Sequence, residues 1–226
     1  MEINLRGAKV FYRQWGRGED PTVLVLHGWG VDSSQYEILG PQLAKHGYRV
    51  IVPDLPGWGN TPAPSKAWGV GEYVEWVEEL VRAIGIAPSP DLTSVRSPSP
   101  RGRGEGEGKF ILFGHSFGGR IAIKYALKYR AELRALVLCA SAGIKPPLTL
   151  KRIGLYCLAK IGRTIFSPPG LSWTGEILKR ILYRVAGVND YLRASGIMKE
   201  VLQKAIKEGL TSKLPSLEVP TLLLWG

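Results

Sequence analysis

Gly114-His115-Ser116-Phe117-Gly118-Gly119 follows the apolar run Phe110-Ile111-Leu112-Phe113 and opens onto Ile121-Ala122-Ile123-Lys124-Tyr125-Ala126. The first run is short enough for a buried strand, and the second suits a helix. A G-x-S-x-G pattern between a strand and a helix is the nucleophile elbow, a sharp, strained turn that leaves a serine hydroxyl exposed above a sheet, with flanking glycines easing the backbone. Ser116 is therefore the candidate nucleophile. The bare pattern arises by chance in chains of this length, so the strand before it and the helix after it carry the reading.

Upstream, Thr22-Val23-Leu24-Val25-Leu26 runs into His27-Gly28-Trp29-Gly30. A continuous apolar strand ending in a Gly-rich loop suits a sheet covered on both faces, with its chemistry at the strand's carboxyl end. Tyr48-Arg49-Val50-Ile51-Val52-Pro53 is a second such strand, followed by Asp54-Leu55-Pro56-Gly57-Trp58-Gly59. Asp54 reads as a turn-capping carboxylate that fixes its loop. Ile3-Asn4-Leu5 and Val10 to Trp15 flank Arg6-Gly7 as a hairpin. Residues 33–46 look helical, with a break or kink near Gly40-Pro41. Tyr73, Trp76, Val77, Leu80, Val81 and Ile84 form one helical stripe, with Glu72, Glu75, Glu78 and Glu79 largely off it. Ala135 to Ala140 and Val219 to Gly226 read as further strands. This alternation predicts an α/β fold, a mainly parallel sheet with right-handed crossovers and helices on both faces.

Two stretches interrupt the pattern. Residues 88–108 are rich in Pro, Ser, Gly and charge, have almost no apolar content, and are expected to be a disordered surface loop. Residues 144–213 hold three apolar helical stripes: Leu150, Ile153, Cys157 and Ile161; Ile177, Leu178, Ile181, Leu182 and Val185; Ile197, Val201, Leu202 and Ile206. The expected organisation is a core over residues 1–143, a helical cap over 144–213 lying above the strands' carboxyl ends, and a return to the core over 214–226.

The net charge is +11. Residues 144–213 carry 13 Lys/Arg against 4 Asp/Glu, so the cap holds nearly all of the excess. A solvated basic face is the leading account of it, ahead of a membrane surface or an anionic substrate, and no nucleic-acid partner is expected. The N-terminus lacks the basic-then-apolar pattern of a signal peptide, and no apolar run is long enough to cross a bilayer, which points to a cytoplasmic protein. Cys139 and Cys157 lack metal-type spacing and read as reduced structural thiols. No cofactor or metal is expected.

Together, His27-Gly28-Trp29-Gly30, Asp54-Leu55-Pro56-Gly57-Trp58-Gly59 and the Ser116 elbow resemble the α/β-hydrolase superfamily, in its group of capped serine hydrolases. The resemblance covers nearly all of the chain except residues 88–108. It implies that Ser116 attacks a carbonyl to form an acyl-enzyme, while the backbone N–H groups of Trp29 and Phe117 face the developing oxyanion. The implied substrate is a small ester or related acyl compound with a hydrophobic acyl or aryl group. Carbon–carbon bond hydrolysis and peptide hydrolysis suit the same elbow, and a non-catalytic ligand-binding pocket is the reading from a different class.

In this fold the triad runs Ser, then Asp or Glu, then His. No histidine follows Ser116: the three are His27, expected to support the oxyanion loop, His46, expected to be solvated, and His115, adjacent on the elbow. Asp190 and Glu218 are the nearest acids by order, the first in the cap and the second ahead of the final strand. The expectation is a fold whose last strand and helix are missing, through truncation of a longer reading frame ahead of a split enzyme, and a chain that is inactive or crippled as it stands.

Overall fold

The structure, a computed structural model, describes residues 1–17, 21–86, 110–144 and 196–225. Among these residues seven strands form one sheet: β1 (Glu2–Leu5), β2 (Ala8–Trp15), β3 (Thr22–Leu26), β4 (Arg49–Pro53), β5 (Phe110–His115), β6 (Leu133–Cys139) and β7 (Thr221–Leu224). Their spatial order is β1-β2-β4-β3-β5-β6-β7. β1 and β2 pair antiparallel, as do β2 and β4, and every later pair is parallel. The β1–β2 turn places both Arg6 (φ 53°) and Gly7 (φ 76°) in the left-handed region. That is the two-residue hairpin geometry whose twist matches the flanking strands.

Among the described residues four helices accompany the sheet: α1 (Leu39–Lys45), α2 (Val70–Ala83), α3 (Phe117–Lys128) and α4 (Gly196–Lys207). The period-two alternation of the strands sorts their side chains between two layers. Leu24, Leu26, Ile51, Phe110, Leu112, Leu136 and Leu138 join the main core under α2 and α3, whereas Val23, Val25, Val50 and Val52 pack with Tyr36 and Leu43 on the α1 side. All five residues of β3 are buried, as a central strand covered on both faces requires. Each Val or Leu so buried stabilises the fold by about 1.5–3 kcal/mol relative to leaving it exposed.

α2 starts where Glu72 accepts the Gly69 N–H at 3.0 Å, and it buries Tyr73, Trp76, Val77, Leu80 and Val81 while Glu72 and Glu75 stay exposed. The stripe read from the sequence is the face it buries. The segment over residues 33–46 departs from expectation. A 3-10 turn, Ser33–Tyr36, capped by Asp32, ends before α1 begins at Leu39, so Gly40 and Pro41 lie inside the first turn of α1 rather than at the break. A proline costs little there because the first-turn N–H groups have no intrahelical acceptor. Gly40 sits against the Trp15 ring, where a Cβ would approach Cε3 to 2.3 Å.

Of the expected cap, residues 145–195 lie outside the described residues, as does the 88–108 loop. The described part, α4, buries Val201, Leu202 and Ala205 and leaves Ile206 half exposed, one position off the stripe inferred from the sequence. The return strand is present as β7, with Leu136 opposite Thr221 and Cys139 opposite Leu224. Among the described residues it is an edge strand, and Leu222, Leu223, Leu224 and Trp225 are 54%, 59%, 42% and 53% exposed. Four consecutive apolar side chains on an open edge invite pairing with another chain. No helix among the described residues is long and apolar enough to cross a membrane.

Candidate active site

Ser116 joins the carboxyl end of β5 to the first residue of α3 with φ 49° and ψ −110°. For a side chain other than glycine this conformation costs about 1–3 kcal/mol and persists only where surrounding contacts over-determine it. Those contacts are present. The Ser116 N–H donates to Cys139 O at 3.1 Å, and the Ser116 carbonyl accepts from Ala142 N–H at 2.9 Å and Arg120 N–H at 3.3 Å. The Gly118 N–H donates to His27 O at 3.1 Å and ties the turn to the loop after β3. The strained backbone angle of the turn sits on the serine itself. The glycines are required by space: a Cβ on Gly114 would lie 2.6 Å from Gly119 Cα. Among the described residues, Ser116 Oγ has no hydrogen-bond partner.

Phe117 opens α3, and its N–H is one of the first-turn donors that a helix cannot satisfy itself. The Trp29 N–H lies in the loop after β3 and likewise has no acceptor among the described residues. The two side chains meet edge to face, with ring centroids 5.3 Å apart at 89°. Trp58 completes the group at 4.8 Å from Trp29 and 5.5 Å from Phe117, and Tyr73 lies 5.3 Å from Phe117. Such pairs are worth about 0.5–1.5 kcal/mol each beyond their burial. The Tyr73 hydroxyl donates to Pro56 O at 2.9 Å, and burial pushes its phenol pKa well up, so the loop after β4 is pinned to α2 by a neutral tyrosine. Sequence reading singled out the three aromatic-bearing motifs separately; that they form one wall beside Ser116 depends on strand order.

The histidines are arranged as supports. His27 is fully buried. Its Nε2 accepts the Leu55 N–H at 2.9 Å and its Nδ1–H donates to Gly28 O at 2.8 Å, which fixes the neutral tautomer. His115 turns toward Gly28, where a Cβ would meet its Nδ1 at 2.9 Å and Ser116 Cβ at 3.4 Å. Its Nδ1 is buried without a hydrogen-bond partner among the described residues, and burial lowers its pKa. His46 caps the exposed end of α1, with Nδ1–H donating to Gln42 O at 2.9 Å. Asp54 is buried; its Oδ1 accepts the Ser33 N–H and its Oδ2 the Asn60 N–H, both at 2.8 Å, as a loop-fixing carboxylate should. Glu218 pairs with Arg130, both largely exposed, and Asp190 lies outside the described residues. Among the described residues no group of three or more His, Cys, Asp or Glu is placed to hold a metal.

The buried His27 gives the fold a pH dependence. Desolvation pushes its pKa below the ordinary 6.5. Below that pH the unfolded chain takes up a proton that the folded chain refuses. The stability due to neutral His27 is therefore complete above about pH 6.5 and falls with acidification until the depressed folded pKa is reached, by up to about 1.4 kcal/mol per pH unit. Urea unfolding at pH 7.5 and 5.5 should show a loss of about 1 kcal/mol, with the ¹⁵N pattern of the His27 ring unchanged and neutral at pH 5.5. A charged His27 in the folded protein at pH 5.5 contradicts this account.

The model of the family described as serine aminopeptidase, S33, matches residues 18–226. The pimeloyl-(acyl-carrier protein) methyl ester esterase of Shewanella woodyi is 27% identical over 226 residues, covering 92% of this chain and 76% of the esterase. Lipase 3 of a Moraxella species is 22% identical over 237 residues, covering 97% of this chain and 66% of the lipase. The crystal structure of a membrane phospholipase A, a bacterial virulence factor, superposes with a TM-score of 0.66 at 24% identity, covering all of this chain and 69% of the other. At that identity it speaks for the fold alone. A family match over nearly the whole chain, with the sheet order and elbow described above, places the protein: it belongs to the serine aminopeptidase S33 family and through it to the α/β-hydrolase superfamily.

Proposed function

We propose that the protein is a serine hydrolase of small-molecule esters with a hydrophobic acyl or aryl group, and that Ser116 is its nucleophile. The observation that carries this reading is Ser116 held at φ 49° at the carboxyl end of β5, its hydroxyl and the Trp29 and Phe117 amides all without a hydrogen-bond partner among the described residues. A scaffold that only binds a ligand has little use for backbone strain at that one residue. Ser116 Oγ attacks the ester carbonyl carbon, and the Trp29 and Phe117 N–H groups receive the developing oxyanion. The alcohol leaves, and water then hydrolyses the acyl-serine. The esterase and lipase relatives support an ester in preference to other acyl compounds.

None of the three histidines supplies the base. His27 has both nitrogens engaged, His46 caps α1, and His115 Nδ1 faces Gly28 with no hydrogen-bond partner among the described residues. The 226 residues alone therefore acylate slowly: binding and an oxyanion hole without a full triad still give roughly 10³–10⁴-fold over water. Incubation with p-nitrophenyl butyrate should leave a butyryl adduct on the Ser116 peptide by mass spectrometry. Ser116→Ala should remove the adduct and bring p-nitrophenol release to background. Release unchanged in Ser116→Ala would favour the non-catalytic pocket instead.

A further inference from the structure

α3 buries one charged side chain in its apolar face. Arg120 is only 8% exposed and lies four residues after Ser116, with its N–H on the Ser116 carbonyl. Its guanidinium crosses to another element. Nη1 donates to Ala205 O at 2.5 Å and to Glu208 O. Ala205 is in the last turn of α4 and Glu208 follows its end, so both acceptors belong to the set of terminal carbonyls that a helix leaves unsatisfied. That end also carries the negative pole of the helix, which favours a cation there. Burial lowers the Arg120 pKa and the nearby Glu208 carboxylate raises it; an arginine stays charged throughout.

Other contacts show what the strap holds. One turn further along α3, Lys124 pairs with Glu208 at 2.8 Å, and the Leu210 N–H donates to Gly143 O at 3.0 Å, so the end of α4 is fastened to the elbow helix and to the loop after β6. Toward its start, α4 lays Met198 on Gly57, whose φ of +101° and missing Cβ leave room for the thioether: a Cβ there would meet Sδ at 2.5 Å. Gly57 is followed by Trp58, the ring that stacks on Trp29 and Phe117. A helix fastened at one end by the elbow thus presses, at the other, on the loop that carries the aromatic wall.

We propose that Arg120 is a positioning residue, a buried guanidinium strap through which the elbow helix sets α4 and, by way of Met198, the Trp58 side of the wall beside Ser116. The consequence for acyl selectivity rests on the hydrolase reading above; the mechanical link does not.

The chain has two methionines, Met1 and Met198, and Met1 is 61% exposed. Labelling the methionine methyl groups with ¹³C therefore gives one solvent-like resonance and one reporter at the Met198–Gly57 contact, shifted from the first by its packing against the main core. In Arg120→Leu the Met198 methyl should lose most of that shift and move toward Met1, while the methyls of β3 and α2 stay in place. Arg120→Lys, which can still donate to these carbonyls, should restore part of it. Lys124→Ala, which removes only the outer ion pair, should leave it unchanged. Hydrogen exchange on the unsubstituted protein supplies a test that needs no variant: the last turn of α4 should exchange together with α3. A Met198 methyl at its original position in a folded Arg120→Leu protein overturns the proposal, as does a last turn of α4 that opens independently of α3. Absence of ester hydrolysis in all these proteins would count against the hydrolase reading and leave the methyl result standing.

Discussion

Gly118→Ala should remove a large share of the fold's stability. An added Cβ would lie 2.1 Å from Leu26 O, 2.5 Å from Leu26 C and 2.6 Å from His27 O. All three are backbone atoms at the carboxyl end of β3, a strand held between β4 and β5. Where an oversized side chain meets other side chains, they rotate away and the change costs about 1–3 kcal/mol. Here no rotamer can yield. α3 would have to lift off the sheet, breaking the Gly118 N–H bond to His27 O and loosening buried Phe117 and Ile121. The expected loss belongs to the exceptional class above about 4–5 kcal/mol, against a total stability of about 5–15 kcal/mol for a domain. The same substitution at Gly71 has the opposite sign. There the nearest atom to an added Cβ is the flexible Lys124 Nζ at 3.7 Å, and alanine is preferred over glycine in a helix by up to about 1 kcal/mol. Circular dichroism of the two variants under urea checks both. A Gly118→Ala protein within 1 kcal/mol of the parent would show that the elbow is not clamped against β3.

That contrast marks how far the sequence could be read. Both substitutions replace glycine by alanine near the start of a helix, and nothing in the sequence around either residue ranks them. Strands are legible because burial on two faces demands runs such as Thr22 to Leu26, and α2 because its stripe has one period throughout. The strand, turn and helix around Ser116 were legible because the elbow is local and its parts follow one another in the chain. The partners that hold the site are not local. Arg120 reaches across 85 residues to Ala205, and Asp54 meets Ser33 from 21 residues away. A charged residue among Phe117, Ile121, Ala122 and Ile123 was the available signal for Arg120, since a buried arginine requires acceptors, but the sequence does not say which. The break near Gly40-Pro41 failed for a related reason. Gly and Pro punctuate helices in general, yet both are tolerated in a first turn, and the first-turn placement followed from Gly40 packing under Trp15.

Asp54→Ala should damage both stability and the candidate oxyanion loop, and in proportions that distinguish the two. The carboxylate spans two loops, the segment after β3 through the Ser33 N–H and the turn after β4 through the Asn60 N–H. Removing it strands the Ser33 donor in the interior, at about 1–3 kcal/mol, while the Asn60 amide, nearer the surface, can take water at a smaller cost. The expected destabilisation is about 2–4 kcal/mol, and Asp54→Asn, which keeps one acceptor oxygen, should fall between parent and alanine variant. Gly59 reinforces the arrangement, because a Cβ there would come within 2.1 Å of Asp54 Oδ2. The loop that Asp54 holds at Ser33 carries Trp29 four residues earlier, so its N–H would lose its fixed aim once the anchor is gone. Misaiming one oxyanion donor costs about 10²–10³-fold in sites of this kind. Acylation of Ser116, measured by mass spectrometry and normalised to the folded fraction, should therefore fall by about 10²-fold in Asp54→Ala. A variant that is destabilised as expected yet acylates at the parental rate would remove the Trp29 amide from the reaction and leave Asp54 a purely structural carboxylate.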